Sequence, residues 1–237
     1  MQQPDFIKAV FEFVILIFSL CVHECAHAWM ASRLGDQTAR LEGRITLNPL
    51  YHVDPLGTLL FPALMIFGPL FGFSMFGGML IGWAKPTPVI TRNFRKIVRD
   101  DNLTTLAGPV SNLILVAVAF IMLAVVSVAV PGGRQLVLFA FMGGILPGVP
   151  SGLQAVLLIG TLVIEINLML CFFNLLPIPP LDGSRVLRNL LPYNAVQAYD
   201  RIPIWISYML IIFLGPAFLG IFLGPSMRLI LWGLTHV

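Results

Sequence analysis

The chain has 237 residues, 58% of them hydrophobic and only 11% charged, with a formal net charge of +3 at pH 7 and a mean hydropathy of +0.92. About a quarter of a soluble domain is charged, so a soluble fold is excluded, and several apolar runs reach the roughly 20 residues that carry a helix across a bilayer. The positive charges are spread over connecting segments with no basic block interleaved with aromatics, which argues against nucleic acid as a partner.

The first apolar run, residues 6–33, lacks the small-residue cleavage site of a signal peptide and carries His23, Glu24 and His27, so it is expected to be retained as a span that stops at Gly35. Residues 38–50 alternate polar and apolar side chains with Ile and Thr, which predicts a short extended ribbon before the turn at Asn48-Pro49. Residues 55–83 are apolar but interrupted by Pro55, Pro62 and Pro69. Arg33, Arg40 and Arg44 precede this stretch and Lys85, Arg92, Arg95, Lys96 and Arg99 follow it. Basic connections stay in the cytoplasm, so a single crossing would violate the bias and the pattern favours a re-entrant segment.

Residues 102–130 predict a span, followed by an outer loop whose one charge is Arg134. Residues 134–146 are apolar but short, and read as interfacial or re-entrant. Residues 151–176 cross back and end at Asn174-Leu175-Leu176-Pro177, before a segment with Arg185, Arg188 and Arg201 that belongs inside. Residues 203–235 form one long span or a hairpin, with Gly215-Pro216 and Gly224-Pro225 as candidate breaks. The expected architecture is an all-α polytopic membrane protein of about four to six membrane helices, with a re-entrant apolar segment and short extended ribbons. It forms a single membrane-embedded domain over residues 1–237, with a core at 6–190 and a C-terminal helix or hairpin at 203–235. Cys21, Cys25 and Cys171 lie inside apolar runs in an odd count, with no disulfide framework. Cys21 and Cys25 each sit two residues before a histidine, roughly 200° away around a helix, where packing explains them.

His23-Glu24-Cys25-Ala26-His27 matches H-E-x-x-H, which on a helix sets two imidazoles on one face, near enough to share a tetrahedral ion. Glu24 then reaches the water at that ion rather than the ion itself, which suits a general base. A zinc hydrolase needs a third protein ligand and an open fourth position. His52 lies in a turn and His236 beside the C-terminus, whereas Asp182 follows a proline-stiffened strip, Pro177-Ile178-Pro179-Pro180-Leu181, and precedes Gly183, which lets the backbone turn sharply. Asp182 is the expected third ligand; its bland alternative is an N-cap for a helix starting near Ser184. Three ionisable groups inside an apolar span are expensive unless a cation compensates them.

Together, His23-Glu24-x-x-His27 and Asn174-x-x-Pro177-x-x-x-x-Asp182-Gly183 resemble the site-2 protease family of intramembrane metallopeptidases. Arg44-Ile-Thr-Leu-Asn48-Pro49, His52-x-Asp54-Pro55-x-Gly57, Gly82-Trp83-Ala84-Lys85-Pro86 and Ala107-Gly108-Pro109-x-x-Asn112 are similar to its compact bacterial branch, which lacks a PDZ module. The resemblance implies one zinc ion at His23, His27 and Asp182, a base at Glu24, and a substrate-contacting role for Asn174. It also implies that ribbons at 38–50 and 81–90 pair with substrate as an added strand. The implied substrate is a transmembrane protein in the lipid bilayer, an unidentified regulatory membrane protein is a further possible partner, and the implied location is a bacterial cytoplasmic membrane with the active site towards the cytoplasm. The residues alone leave two rivals. One is a membrane zinc carrier or sensor without hydrolytic activity, which has no need of a base at position 24; the other is an inactive scaffold. Glu165 and Asn167 lie within the third core span, and Asn167 is read as sharing a cleft-facing side with Asn174.

Overall fold

The structure is a computed structural model that describes residues 3–72, 84–143 and 148–236. In chain order the helices are α1 (Gln3–Leu34), α2 (Thr38–Leu41), α3 (Phe61–Phe67), α4 (Ile97–Ala129), α5 (Gly133–Phe141), α6 (Ser151–Asn174), α7 (Asp182–Leu190), α8 (Tyr193–Tyr199) and α9 (Ile204–His236). Among the described residues, four helices are long and apolar enough to cross a membrane: α1, α4, α6 and α9. The fold is all-α and polytopic, as expected.

Helices α1, α4 and α6 pack on one another and form the core, while α9 leans on α6 and α4. On α4 the buried positions Val116, Ala119, Leu123 and Val126 recur at helical spacing, and Val110, Ile114, Val118, Ile121 and Val125 form an exposed stripe on the other side. A helix that is apolar all round and exposed on one face has lipid as its partner there. Leu123, Val137, Leu157, Ile164 and Leu234 close one apolar cluster shared by α4, α5, α6 and α9. Ile15, Leu16, Leu162, Ile166 and Leu170 close another between α1 and α6.

The connection from α1 to α4 begins and ends on one side of the bundle. Arg95 N–H donates to the Leu34 carbonyl at 3.4 Å, and Lys85 N–H to the His52 carbonyl at 2.9 Å. Between those anchors the chain winds through a π-helical turn (Pro55–Leu60), then α3. The far end of α3 reaches the start of α1, with the Phe67 ring 6.0 Å from Phe6 and 5.9 Å from Phe13. Entry and exit lie on one side with apolar helix between them; the expected re-entrant segment 55–83 also takes in residues 73–83, which lie outside the described residues.

Several local expectations change. Residues 38–50 are not an extended ribbon: they hold the short helix α2, a turn, and a 3-10 turn at Pro49–Tyr51. The cause is the Asp36 carboxylate, one residue before the cap position Gln37. Asp36 Oδ1 accepts from the Thr38 N–H at 3.1 Å and from its hydroxyl at 2.6 Å, and the Arg44 guanidinium closes the loop onto the Tyr51 carbonyl. Residues 84–90 carry no helix but pair with no strand, and no strand occurs among the described residues; positions 81–83 of that predicted ribbon lie outside them. Helix α4 starts at Ile97 rather than 102, because Asp100 accepts the Lys96 N–H at 2.8 Å and the charged first turn is thereby capped and folded. Residues 134–141 of the predicted 134–146 segment lie in the helix α5, which begins one residue earlier at Gly133, and 144–147 are not described. The C-terminal stretch is one helix with Pro216 and Pro225 inside it, not a hairpin.

Candidate metal centre

His23 and His27 lie about 16 Å and 10 Å from the C-terminal end of α1, counting 1.5 Å per residue. Their four-residue spacing aims both rings at one point, with Nε2 to Nε2 at 3.0 Å. Asp182, 159 residues from His23 in the chain, brings Oδ2 to 3.1 Å from His23 Nε2 and 3.3 Å from His27 Nε2. Among the described residues this is the group of three such side chains close enough to hold a metal ion.

The other ring nitrogens are committed. His27 Nδ1–H donates to the Thr104 carbonyl at 2.7 Å, and His23 Nδ1–H to Asn112 Oδ1 at 3.3 Å. A neutral imidazole that donates through Nδ1 keeps a bare lone pair at Nε2. Two such lone pairs and a carboxylate oxygen meet within about 3 Å of one another, which is repulsive unless a cation lies between them or a ring takes up a further proton. The donor set suits zinc, which takes histidine nitrogen and carboxylate oxygen. Space is reserved as well: a Cβ on Gly108 would sit 2.6 Å from His23 Nε2 and against His27 Nε2.

The segment after α6 aims the carboxylate. Asp182 is the first residue of α7, and Leu181, not Asp182, occupies the cap position, so the N-cap alternative does not apply. Gly183 packs where a Cβ would collide with the Leu175 carbonyl and come within 2.6 Å of the Leu176 carbonyl. Arg185 pairs with Asp101 at 2.6 Å, and Asn189 Nδ2 donates to Asp101 at 2.7 Å. Both bonds tie α7 to α4. Arg188 and Asp200 form a two-pronged pair at 2.8 Å, and the Tyr199 hydroxyl donates to the Pro177 carbonyl at 2.9 Å, which ties α8 to the proline strip.

Glu24 faces a cavity of about 520 Å³ that also borders His23, His27, Thr87, Asn174 and Asp182. Its far wall is apolar, with Met169 and Phe173 of α6 and Ile211 and Leu219 of α9. Asn174 ends α6 and donates to the Leu170 carbonyl at 2.9 Å, leaving its oxygen for other contacts. Asn167 does not share that cleft: it is fully buried and donates to the Ser19 hydroxyl at 2.9 Å. His52 is buried with Nε2 on the Thr46 carbonyl at 2.8 Å, and His236 caps its own helix through the Trp232 carbonyl. Neither belongs to the centre. Cys21 and Cys171 are buried and Cys25 half-buried, all as free thiols outside the ligand group.

Residues 11–216, a stretch that includes His23, Glu24, His27, Thr87, Thr104, Asn112, Asn174 and Asp182, match the model of Peptidase family M50. This chain belongs to peptidase family M50. It is 36% identical over 223 residues to a Bacillus subtilis protein named "Putative zinc metalloprotease YwhC", covering 94% of this chain and 84% of that one. It is 30% identical over 239 residues to a Mycobacterium tuberculosis protein named "Putative zinc metalloprotease Rip2", covering 99% of this chain and 79% of the relative. No solved structure matches it significantly. The M50 match begins in α1 and ends inside α9, so it covers all four long apolar helices at least in part. The site-2 protease resemblance read from the motifs is thus a true membership of M50.

Proposed function

We infer that the chain is an intramembrane zinc metalloprotease that hydrolyses peptide bonds in or next to transmembrane segments of membrane proteins. The observation that carries this reading is the convergence of His23 Nε2, His27 Nε2 and Asp182 Oδ2 within hydrogen-bonding distance, beside Glu24 and below the end of a membrane-spanning helix, in a member of M50. Each chain is proposed to hold one zinc ion at His23, His27 and Asp182, with Glu24 as general base. Bound there, zinc supplies Lewis acidity and lowers the pKa of water to roughly 7.

The chain's own groups divide the remaining work. His23 and His27 keep their Nδ1 protons on Asn112 and Thr104, which holds the Nε2 lone pairs in place for the ion. Glu24 takes a proton from the attacking water as its oxygen bonds to the peptide carbonyl carbon, then passes that proton to the leaving nitrogen as the C–N bond breaks. Asn174 is proposed to hydrogen-bond the unwound substrate backbone, whose N–H and C=O groups need partners in an apolar medium. The apolar wall of the cavity excludes bulk water from the substrate side chains.

The site is proposed to open towards the cytoplasm of a bacterial cytoplasmic membrane. Arg40, Arg44, Lys85, Arg92, Arg95 and Lys96 lie on the segments between α1 and α4, at the end of α1 that carries the histidines, and such charge marks the inner side. The relatives named above are also bacterial. The whole chain is proposed to act as one membrane-embedded domain.

Glu24→Gln separates hydrolysis from zinc carriage. In purified protein reconstituted with single-span membrane proteins, the variant should keep its zinc and lose cleavage by at least about a hundredfold. A variant that cleaves as well as the parent refutes the base, and a parent that binds zinc but cleaves no membrane protein favours a carrier or sensor.

A further inference from the structure

Thr87, in the connection that leads into α4, makes two hydrogen bonds to one oxygen of Glu24. Its main-chain N–H donates to Oε2 at 3.1 Å, and its hydroxyl donates to the same Oε2 at 2.8 Å. The hydroxyl oxygen also lies 3.2 Å from the Glu24 main-chain carbonyl. Among the described residues nothing hydrogen-bonds to Oε1. One carboxylate oxygen is therefore clamped and the other is left for the cavity. The terminal torsion of a glutamate is broad and nearly two-fold, so without such a clamp the two oxygens would interchange freely.

The strip that carries Thr87 is held at closely spaced points. Lys85 N–H donates to the His52 carbonyl at 2.9 Å, Thr87 binds Glu24, and Ile90 N–H donates to Asp36 Oδ2 at 2.7 Å. Pro86 and Pro88 flank Thr87 and fix their own φ near −65°. The same prolines have no N–H, so the strip cannot supply donors there to an added substrate strand. Its N–H groups at 85, 87 and 90 are turned to the protein, which is the arrangement of a bracket more than of a pairing edge.

We propose that Thr87 is a positioning residue for Glu24: it clamps Oε2 so that Oε1 is the oxygen that receives the proton of the attacking water and returns it to the leaving amine. This rests on the reading of Glu24 as general base. Thr87 acts through Glu24 and touches neither substrate nor metal in this role. Loss of the hydroxyl alone leaves the N–H bond in place, so the effect is partial and falls on the chemical step, not on substrate affinity.

The test uses the full chain in lipid vesicles, with a fluorophore-labelled single-span peptide that the parent cleaves, and zinc content measured on each sample. Thr87→Val, close to threonine in shape but without the hydroxyl, should keep its zinc and hold KM within about twofold while kcat falls about tenfold or more; Thr87→Ser should return kcat to within about threefold of the parent. Parental or raised kcat in Thr87→Val, with Glu24→Gln inactive, overturns the clamp while leaving the base intact. Equal impairment of the Val and Ser variants with loss of zinc assigns Thr87 a structural role and also overturns it. Activity in Glu24→Gln removes the base reading itself, and the clamp falls with it.

Discussion

A histidine offers a lone pair at Nε2 only while Nδ1 keeps its proton, and α4 provides the acceptor for both rings, Asn112 Oδ1 and the Thr104 carbonyl. Gly108 lies between those two residues, one turn from each, where any side chain would enter the space between the imidazoles. Gly108→Ala is therefore expected to fold but to bind zinc about tenfold or more weakly than the parent, a loss readable by competition with a chromogenic chelator; parental affinity would mean that the rings do not close on a common ion there. The convergence of the His23 and His27 rings was legible because that geometry is local, fixed by four residues of one helix. The approach of Asp182 to the two rings follows the expectation drawn from its rigid surroundings, while its role as a ligand remains the proposal made above. Thr104 could not be found that way, since it acts through a main-chain carbonyl that every residue has. Asn112 stood in a noticed motif, but its bond to a ring 89 residues away depends on how α1 meets α4. Thr87, likewise, is joined to Glu24 across 63 residues of chain.

The segment after α1 shows how a local pattern loses to a specific bond. Residues 38–50 alternate like a strand, yet the fully buried Asp36 collects Thr38, Ile90 and Asn93 as donors. It thereby starts a helical turn and fastens the Thr87 strip to the end of α1. Burial pushes the Asp36 carboxyl up, but these hydrogen bonds outweigh it and hold the group below the usual carboxylate range. With the folded value depressed, its stabilising contribution is complete above the ordinary pKa of about 3.9 and is lost as pH falls through the depressed value. The protection factors of the Thr38 and Ile90 amides, taken against the intrinsic exchange rate at each pH, should fall as pH drops below about 4, and should already be low at neutral pH in Asp36→Ala. Protection that stays constant down to the pH at which the whole chain unfolds would show that another bond holds the strip. The start of α4 was misplaced for a related reason: its acidic first turn looks like a loop, but Asp100 caps it and Asp101 is buried against Arg185 and Asn189.

At the scale of the molecule, length and hydropathy carried the four spans, because a bilayer imposes one thickness on every helix that crosses it. The single C-terminal helix was less legible, since proline is tolerated inside membrane helices and Pro216 and Pro225 do not break α9. Four crossings, with the α1–α4 connection returning to its own side, predict an alternating topology. In intact cells a membrane-impermeant maleimide should label Gln135→Cys, whereas Glu42→Cys and Arg92→Cys should react only after permeabilisation; the reverse pattern would invert the proposed orientation. The proposed metal centre is tested most directly by the zinc absorption-edge spectrum of the purified, zinc-loaded chain. One zinc per chain is expected, in a shell of nitrogen and oxygen at about 2.0–2.2 Å with two imidazole signatures. A sulfur neighbour at about 2.3 Å, which would bring Cys25 or Cys21 into the shell, or a shell without imidazole, would contradict it.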